Sequence, residues 1–274
     1  MTVAEAIRKA AGQLGNTSDT ARLDAELLMA HALGVSRSDL LLRHMHDDAP
    51  EMFASLIARR VLREPVAHVT GEQEFYGRPF KVSADTLIPR GDTETLIDAA
   101  LELAPGAKRI LDLGTGSGAL LITALLEMSD ACGVATDFSP EALSIAEANA
   151  SKLGLGNDRV RFALKDWTKR NWNEGLGTFD LILCNPPYVE DCAQLNPDVR
   201  EFEPASALFS GPDGLNDYRI LIPQLRALMQ PNGIVMLEIG ASQADAVTLV
   251  AQDHGFEVAM RKDLAGRPRC LILR

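Results

Sequence analysis

Arg109-Ile110-Leu111-Asp112-Leu113-Gly114-Thr115-Gly116-Ser117-Gly118 is the stretch that decides the fold. Its apolar first half reads as a buried strand, Arg109–Leu113. Its glycines read as a tight turn at the strand's carboxyl end, where the backbone can come close to a ligand. The apolar segment Leu120–Met128 then reads as a helix. Asp137 stands 19 residues beyond Gly118, at the end of the next strand candidate, Gly133–Asp137. A carboxylate there can accept hydrogen bonds from two ribose hydroxyls. Strand, glycine loop, helix and acid together point to a ligand that carries a nucleoside. Gly114, Gly116 and Ala119 also satisfy the dinucleotide pattern G-x-G-x-x-G/A, so the loop by itself leaves NAD open. No Lys-Ser/Thr pair follows the glycines, which argues against triphosphate hydrolysis, and Ser117 and Ser139 lack the elbow of a hydrolase nucleophile.

Outward from this loop, short apolar runs alternate with helical segments. Val160–Leu164, Phe179–Cys184, Ile234–Ile239 and the tail Arg269–Leu273 are further strand candidates. Pro140–Leu153, Asp217–Met229 and Ser242–His254 are the helices among them. Such alternation predicts an α/β domain, a doubly wound, mostly parallel sheet. Upstream, Phe75, Tyr76, Phe80 and Val82 among the turn residues Gly77, Arg78 and Pro79 predict a hairpin. The amino-terminal part reads as helical. In Asp19–Leu33, Leu23, Leu27 and Ala30 recur along one helix face, with Asp19 or Thr20 to cap its start and Gly34 to end it. After Pro50, a second helical stretch offers Met52, Leu56, Ile57 and Leu62 to a core. The expected division is a small α-helical domain over residues 1–70, a β-hairpin linker over 71–88, and an α/β domain over 89–274.

Composition narrows the function classes. The 274 residues are 46% hydrophobic and 24% charged, ample for a core, with a net charge of −11. Residues 1–80 hold 9 basic and 11 acidic side chains, so the rest of the chain carries −9. That balance disfavours nonspecific binding to a phosphate backbone. Cys132, Cys184, Cys192 and Cys270 occur singly, with neither disulfide nor zinc spacing. The first ten residues lack a signal-peptide core, and no apolar run of about 18 residues could span a bilayer. A cytoplasmic protein with no membrane partner and no metal is expected. His44-Met45-His46-Asp47-Asp48 reads as a surface turn rather than a metal site, and Arg59, Arg60 and Arg63 as a solvated helix face.

The chemistry is chosen after the Phe179–Cys184 strand, where Asn185-Pro186-Pro187-Tyr188 follows at the same sheet edge. Two prolines fix φ and remove two N–H donors. The corner that remains is rich in acceptors: the Asn185 side-chain oxygen and the Pro186 carbonyl. Two acceptors at fixed separation suit a planar –NH2 with two protons to donate, and Tyr188 offers a flat face for a planar group. An amide or exocyclic amine nitrogen is a poor nucleophile because its lone pair is delocalised. Accepting both of its hydrogens favours the charge that builds as it attacks and aligns it with an electrophile. Hydride transfer to a nicotinamide has no use for this corner; methylation of an amino group does.

At this point the chain resembles the class I S-adenosylmethionine-dependent methyltransferases. More narrowly it resembles the HemK/PrmC family, the protein-(glutamine-N5) methyltransferases of peptide chain release factors. The resemblance runs through Leu23-Asp24-Ala25-Glu26-Leu27-Leu28, Glu64-Pro65-Val66-Ala67-His68 and Phe75-Tyr76-Gly77. It continues in Leu87-Ile88-Pro89-Arg90 with Asp92-Thr93-Glu94, Glu203-Pro204 and Gly211-Pro212-Asp213-Gly214-Leu215, then Leu237-Glu238-Ile239-Gly240 with Gln243. Gly91 stands where the family usually has proline.

The resemblance implies a Rossmann-like methyltransferase domain that binds S-adenosyl-L-methionine and releases S-adenosyl-L-homocysteine. Gly114, Thr115, Gly116, Ser117 and Gly118 would line the methionine and ribose portion, and Asp137 would take the ribose hydroxyls. Trp167 would pack against the adenine, with Asp166 at its amino edge. Asn185 would lie nearest the sulfonium and hold the substrate amide with Pro186, Pro187 and Tyr188. Asp112 either orients the cofactor or serves the next helix. The implied substrate is the Gly-Gly-Gln tripeptide of class 1 release factors, recognised by the helical domain of a monomeric enzyme. Alternatives are a ribosomal-protein glutamine methyltransferase and an adenine-N6 methyltransferase, the latter disfavoured by net charge. A non-catalytic S-adenosylmethionine sensor would not need the Asn185–Tyr188 set, and a NAD-dependent oxidoreductase is the remaining rival.

Overall fold

In the computed structural model, which describes residues 1–274, the chain forms two units. One contains Met1–Glu72 together with Leu195–Phe202, and the other Gln73–Gln194 together with Glu203–Arg274. No helix is long and apolar enough to cross a membrane.

The first unit begins with a reciprocal cap. Thr2 Oγ1 accepts from the Glu5 amide at 3.3 Å, and the Thr2 amide donates to Glu5 Oε2 at 2.9 Å, which satisfies free N–H groups at the start of α1 (Val3–Leu14). α2 (Ala21–Leu33) ends at Gly34, and α3 (Arg37–Asp39) continues into a π-helical turn over Leu40–His44. α4 (Phe53–Val61) and α5 (Val66–Thr70) follow. Val3, Ile7, Leu14, Leu28, Met29, Leu40, Phe53, Leu56 and Ile57 form the core.

Three expectations need correction here. Leu23 and Leu27 are 40% and 36% exposed, because α2 turns Ala25, Leu28 and Met29 inward instead. Asp24 and Glu26 are buried on the same helix, Glu26 between Arg22 and Arg37 at 2.9 and 2.7 Å, so ion pairs occupy positions that an apolar pattern does not reveal. Thr20 takes the N-cap position of α2 but its side chain accepts no helix amide; its hydroxyl donates instead to Asp24 Oδ1 at 2.8 Å. Met52 and Leu62 are 47% and 74% exposed; Leu56 and Ile57 are buried as expected, and Phe53 joins them in the core in place of Met52.

The arginines are not a uniform solvated face either. Arg60 is 5% exposed and bridges Asp24 and Asp198, each at 2.7 Å, while Arg63 reaches Asp198 at 3.3 Å and the Thr17 carbonyl at 3.2 Å. Asp198 lies beyond the Asn185–Tyr188 corner in sequence, and these pairs explain why Leu195–Phe202 belongs to the helical unit.

In the second unit, β1 (Glu72–Phe75) and β2 (Arg78–Lys81) make the hairpin. Its turn is Tyr76-Gly77, with φ of 51° and 71°, the two-residue form that matches strand twist; Arg78 and Pro79 already belong to β2. Phe75 and Phe80 meet edge to face at 6.1 Å and are buried in this unit's core. α6 (Glu94–Leu103), not anticipated from the sequence, precedes β3 (Arg109–Leu113). Next come α7 (Ala119–Glu127), β4 (Cys132–Asp137), α8 (Pro140–Lys152), β5 (Val160–Leu164) and β6 (Phe179–Cys184). After α9 (Pro197–Phe202), which belongs to the first unit, come α10 (Asn216–Leu225), β7 (Met229–Glu238), α11 (Ala244–Asp253), β8 (Val258–Lys262) and β9 (Pro268–Leu273).

The seven strands lie in the order β5-β4-β3-β6-β7-β9-β8, parallel up to β7 and antiparallel at β9 and β8. This is the doubly wound, Rossmann-like sheet expected. Alternation along each strand feeds two cores: Ile110, Leu181 and Leu183 face Leu121 and Leu125 of α7, while Leu111 and Ile182 face Leu221 and Ile222 of α10. β3 has a parallel neighbour on each side, so winding reverses there, and a crevice opens at the carboxyl ends of β4, β3 and β6.

Arg60→Ala leaves Asp24 and Asp198 without their shared cation and is expected to destabilise the helical unit by about 3 kcal/mol in urea unfolding. A loss below about 1 kcal/mol would class the cluster with weak surface pairs.

Candidate functional site

The crevice holds a cavity of about 560 Å³. Gly114, Thr115, Gly116 and Ser117 line it from the turn after β3, Asp137 and Phe138 from the end of β4, and Asp166 and Trp167 from the segment after β5. Asn185 and Pro187 line it after β6. Nine of the twelve residues assigned from sequence line this cavity; Gly118, Pro186 and Tyr188 do not, and Gly118 caps the start of α7.

The glycine loop is held by its amides. Gly114 and Thr115 N–H both donate to the Thr136 carbonyl at 2.9 Å, and Gly116 N–H donates to Asp137 Oδ2 at 2.9 Å. Asp137 Oδ1 accepts from Ser139 N–H at 3.0 Å. Each Asp137 oxygen keeps a lone pair, which suits a vicinal diol. The carboxyl is nearly buried, and burial raises its pKa while the Ser139 and Gly116 amides oppose the shift. Gly114 adopts φ 72°, and a Cβ there would stand 3.0 Å from the Trp167 ring, so only glycine admits both the turn and the indole. Trp167 Nε1 donates to Asp217 Oδ1 at 2.9 Å, which fixes the ring against the loop. Asp166 accepts from the Thr168 amide and hydroxyl at 2.9 and 2.6 Å, and these hydrogen bonds hold its pKa below the usual value against the smaller effect of burial.

Asp112 is 1% exposed and does not reach the cavity. Its Oδ2 accepts from the Thr115 hydroxyl at 2.6 Å, and Oδ1 has no partner, so it supports the loop from beneath. Burial pushes its pKa up to about 7, with the Thr115 bond opposing.

Asn185 is half-buried and its side-chain amide is taken by no group of the chain. Backbone pairing resumes at Val189, whose N–H donates to the Leu208 carbonyl at 2.8 Å. The Tyr188 hydroxyl donates to Glu238 Oε1 at 3.2 Å; burial, then the Glu238 charge, raises the phenol pKa well above its ordinary value.

The facing wall includes Arg90, Thr93, Pro204 and Ser206. Arg90 pairs with the buried Glu203 carboxylate, whose Oε2 also accepts from Ile88 N–H at 3.0 Å. Gly91 opens a 3₁₀ turn, Gly91–Thr93, without entering the left-handed region, and Asp92 is anchored to Arg269 at 2.9 Å. Side-chain ties therefore flank Gly91 on both sides. Sequence reasoning did not find Phe138, Thr93 or Asp217. Phe138, 51% exposed beside Asp137, carried a detectable signal: a large apolar residue just beyond a strand end.

Comparison with known proteins agrees with this geometry. Residues 5–71 match the PrmC N-terminal domain, and residues 106–260 match a methyltransferase domain. The chain is 42% identical over 260 residues to the release factor glutamine methyltransferase of Rhodospirillum rubrum, covering 92% of this chain and 78% of that protein. It is 41% identical over 282 residues to the one from Cereibacter sphaeroides, covering 100% of this chain and 99% of that one. Among solved structures, a ribosomal protein L11 methylase from Lactobacillus delbrueckii subsp. bulgaricus is similar with TM-score 0.51 and 24% identity, over 69% of this chain and 81% of that one. A methyltransferase from Pyrococcus furiosus gives 0.52 and 18%, over 80% and 98%. These two likenesses speak to fold alone.

Asp112 yields a pH test. Its pKa rises from 3.8 to about 7 on folding, so its contribution to stability is full below the unfolded value and is lost as pH rises through the folded one. From about pH 4 to about pH 8, Asp112→Asn is expected to gain on the wild type by on the order of 2–4 kcal/mol in urea unfolding without ligand. A pH-independent difference would contradict the assignment.

Proposed function

The chain belongs to the family of release factor glutamine methyltransferases, and on that premise we propose that Asn185 and Pro186 hold the side-chain amide of a release-factor glutamine while its nitrogen is methylated. The observation that carries this reading is the Asn185 amide, which has no partner in the chain and lines the same cavity as Asp137.

The residues fit S-adenosyl-L-methionine as the methyl donor. Asp137 keeps acceptors for a diol, the glycine loop admits close approach, and the Phe138 ring and Trp167 offer apolar faces for a purine. When bound, this cofactor supplies a methyl group on a positively charged sulfur. Asn185 Oδ1 and the Pro186 carbonyl then accept the two N–H hydrogens of the glutamine amide. This favours positive charge on its nitrogen and points the lone pair along the line of attack. No side chain need take a proton beforehand, since the alkylated nitrogen is far more acidic than the amide. Prolines at 186 and 187 keep the corner stiff, so it is not reorganised during the reaction.

The substrate glutamine is that of the Gly-Gly-Gln tripeptide of class 1 release factors, which places the enzyme in the cytoplasm, where translation ends. The helical unit recognises the body of the factor. The closest rival substrate, adenine in a duplex, presents a similar amine, but a net charge of −11 opposes a polyanion.

Labelled methyl transfer is the test, with a release factor, the same factor with the tripeptide glutamine changed to alanine, and an adenine-rich duplex as acceptors. Label in the first alone is expected; label in the duplex, or equal label in both protein forms, would overturn the reading. Asn185→Ala is expected to lower kcat by about a hundredfold or more while calorimetry shows cofactor affinity within about threefold of wild type. Equal loss of binding and turnover would make Asn185 a cofactor residue only.

A further inference from the structure

Glu238 is the last residue of β7 and 1% exposed, yet its carboxylate is only half used. Oε1 accepts from the Tyr188 hydroxyl at 3.2 Å, and Oε2 has no hydrogen-bond partner. Beside it lies Thr93, buried and lining the cavity, whose hydroxyl favours the charged carboxylate without completing a hydrogen bond. A buried carboxylate in this setting costs stability, and its presence calls for a role.

Tyr188 is held at its other end too. Gln243 Nε2 donates to the Tyr188 carbonyl at 2.9 Å, while Gln243 Oε1 accepts from Gly240 N–H at 3.0 Å. Gly214 passes so close that a Cβ would stand 2.3 Å from that carbonyl, so the loop before α10 closes over it. Tyr218 donates to the Glu238 carbonyl at 2.7 Å and fixes the end of β7 itself. One short segment, Glu238 to Gln243, therefore grips the residue after the two prolines by hydroxyl and by carbonyl.

We propose that Glu238 is a positioning residue for methyl transfer: through the Tyr188 hydroxyl, with Gln243 on the carbonyl, it sets where the Asn185–Pro186 acceptors stand. Glu238 does not line the cavity and touches no reacting atom. It acts by keeping Tyr188, and with it the two-proline turn, from relaxing away from the substrate amide. This inference rests on the proposed function and extends it to the layer behind the acceptors.

The groups that face Glu238 are Tyr188 after β6, Cys184 on β6, Tyr218 on α10, Arg269 and Cys270 on β9, and Asp92 before α6. Burial, foremost, pushes the Glu238 carboxyl up to about 7, and the Thr93 hydroxyl, then Arg269 and the Tyr188 hydroxyl, oppose the shift. The ionised form is the stronger acceptor for Tyr188, so the grip weakens as pH falls through that value.

The test compares wild type, Glu238→Gln, Tyr188→Phe and the double variant, using full-length protein, S-adenosylmethionine and a release factor. Gln keeps the size of the side chain and an acceptor oxygen but has no charge. Glu238→Gln is expected to lower kcat by about tenfold, leave cofactor affinity and protein KM unchanged, and remove a kcat inflection near pH 7 seen in the wild type. Tyr188→Phe is expected to cost a similar factor, and the double variant no more than either single one. Multiplicative losses, or a Glu238→Gln enzyme with the wild-type kcat and pH profile, would overturn the clamp while leaving the proposed function intact. A wild type that methylates no release factor would overturn the proposed function itself, and the clamp with it.

Discussion

The amides of Gly114 and Thr115 share one acceptor, the Thr136 carbonyl, and the Gly116 amide reaches the Asp137 carboxylate, all at 2.9 Å. These bonds tie the turn after β3 to the end of β4. They restrict a run of three glycines in five residues that would otherwise have wide backbone freedom. Asp112 supports the turn from below through Thr115, and Trp167 lies against Gly114 because Asp217 holds its indole N–H. The β3 strand brings Asp137 on one side and Asn185 on the other to the same cavity. Placement of both residues therefore follows from strand order and from backbone hydrogen bonds, ahead of any side-chain choice.

On the far side of β3 the constraint is of another kind. Two prolines remove donors and fix φ, so the turn after β6 is stiff but makes few bonds of its own. Its position is supplied from outside, by the residues that grip Tyr188 and by the pairing of Val189 with Leu208. Rigid acceptors aimed at a nitrogen are worth more than mobile ones because they need no rearrangement as charge develops. The family blocks around Glu203, Gly214 and Glu238 are thereby accounted for as supports. Glu203 holds Arg90 and Ile88, Gly214 and Gln243 hold the Tyr188 carbonyl, and Glu238 holds its hydroxyl.

Legibility in the sequence followed physical cause. β3 and β6 were readable to the residue because central strands are near-continuous apolar runs, and the edge strand β5 because its apolar residues end in the charged Lys165-Asp166 pair. β8 escaped notice because it is an edge strand whose Arg261 and Lys262 stay in solvent, which erases alternation. The α2 face was misread because buried Asp24 and Glu26 displace leucines, and although Arg22 is one turn from Glu26, the partners Arg60 and Arg37 lie 36 and 11 residues away in sequence. In the site, Asp137 and Asn185 were legible since strand ends mark positions. Thr93, Asp217 and the Glu238–Tyr188 pairing were not, since they depend on which segments the sheet order brings together. The return of Leu195–Phe202 to the helical unit is a long-range ion-pair effect of the same sort.

The proposed hold on a substrate nitrogen by two N–H bonds makes one further demand. A glutamine amide has two such hydrogens, and once methylated it has one, too few to fill both acceptors. The direct measurement is mass analysis of the release-factor glutamine after prolonged reaction with excess S-adenosylmethionine. A single methyl group on the side-chain nitrogen, with no second addition however long the reaction runs, is the expected result. Accumulation of the dimethylated amide would show that the two acceptors are not what positions the nitrogen.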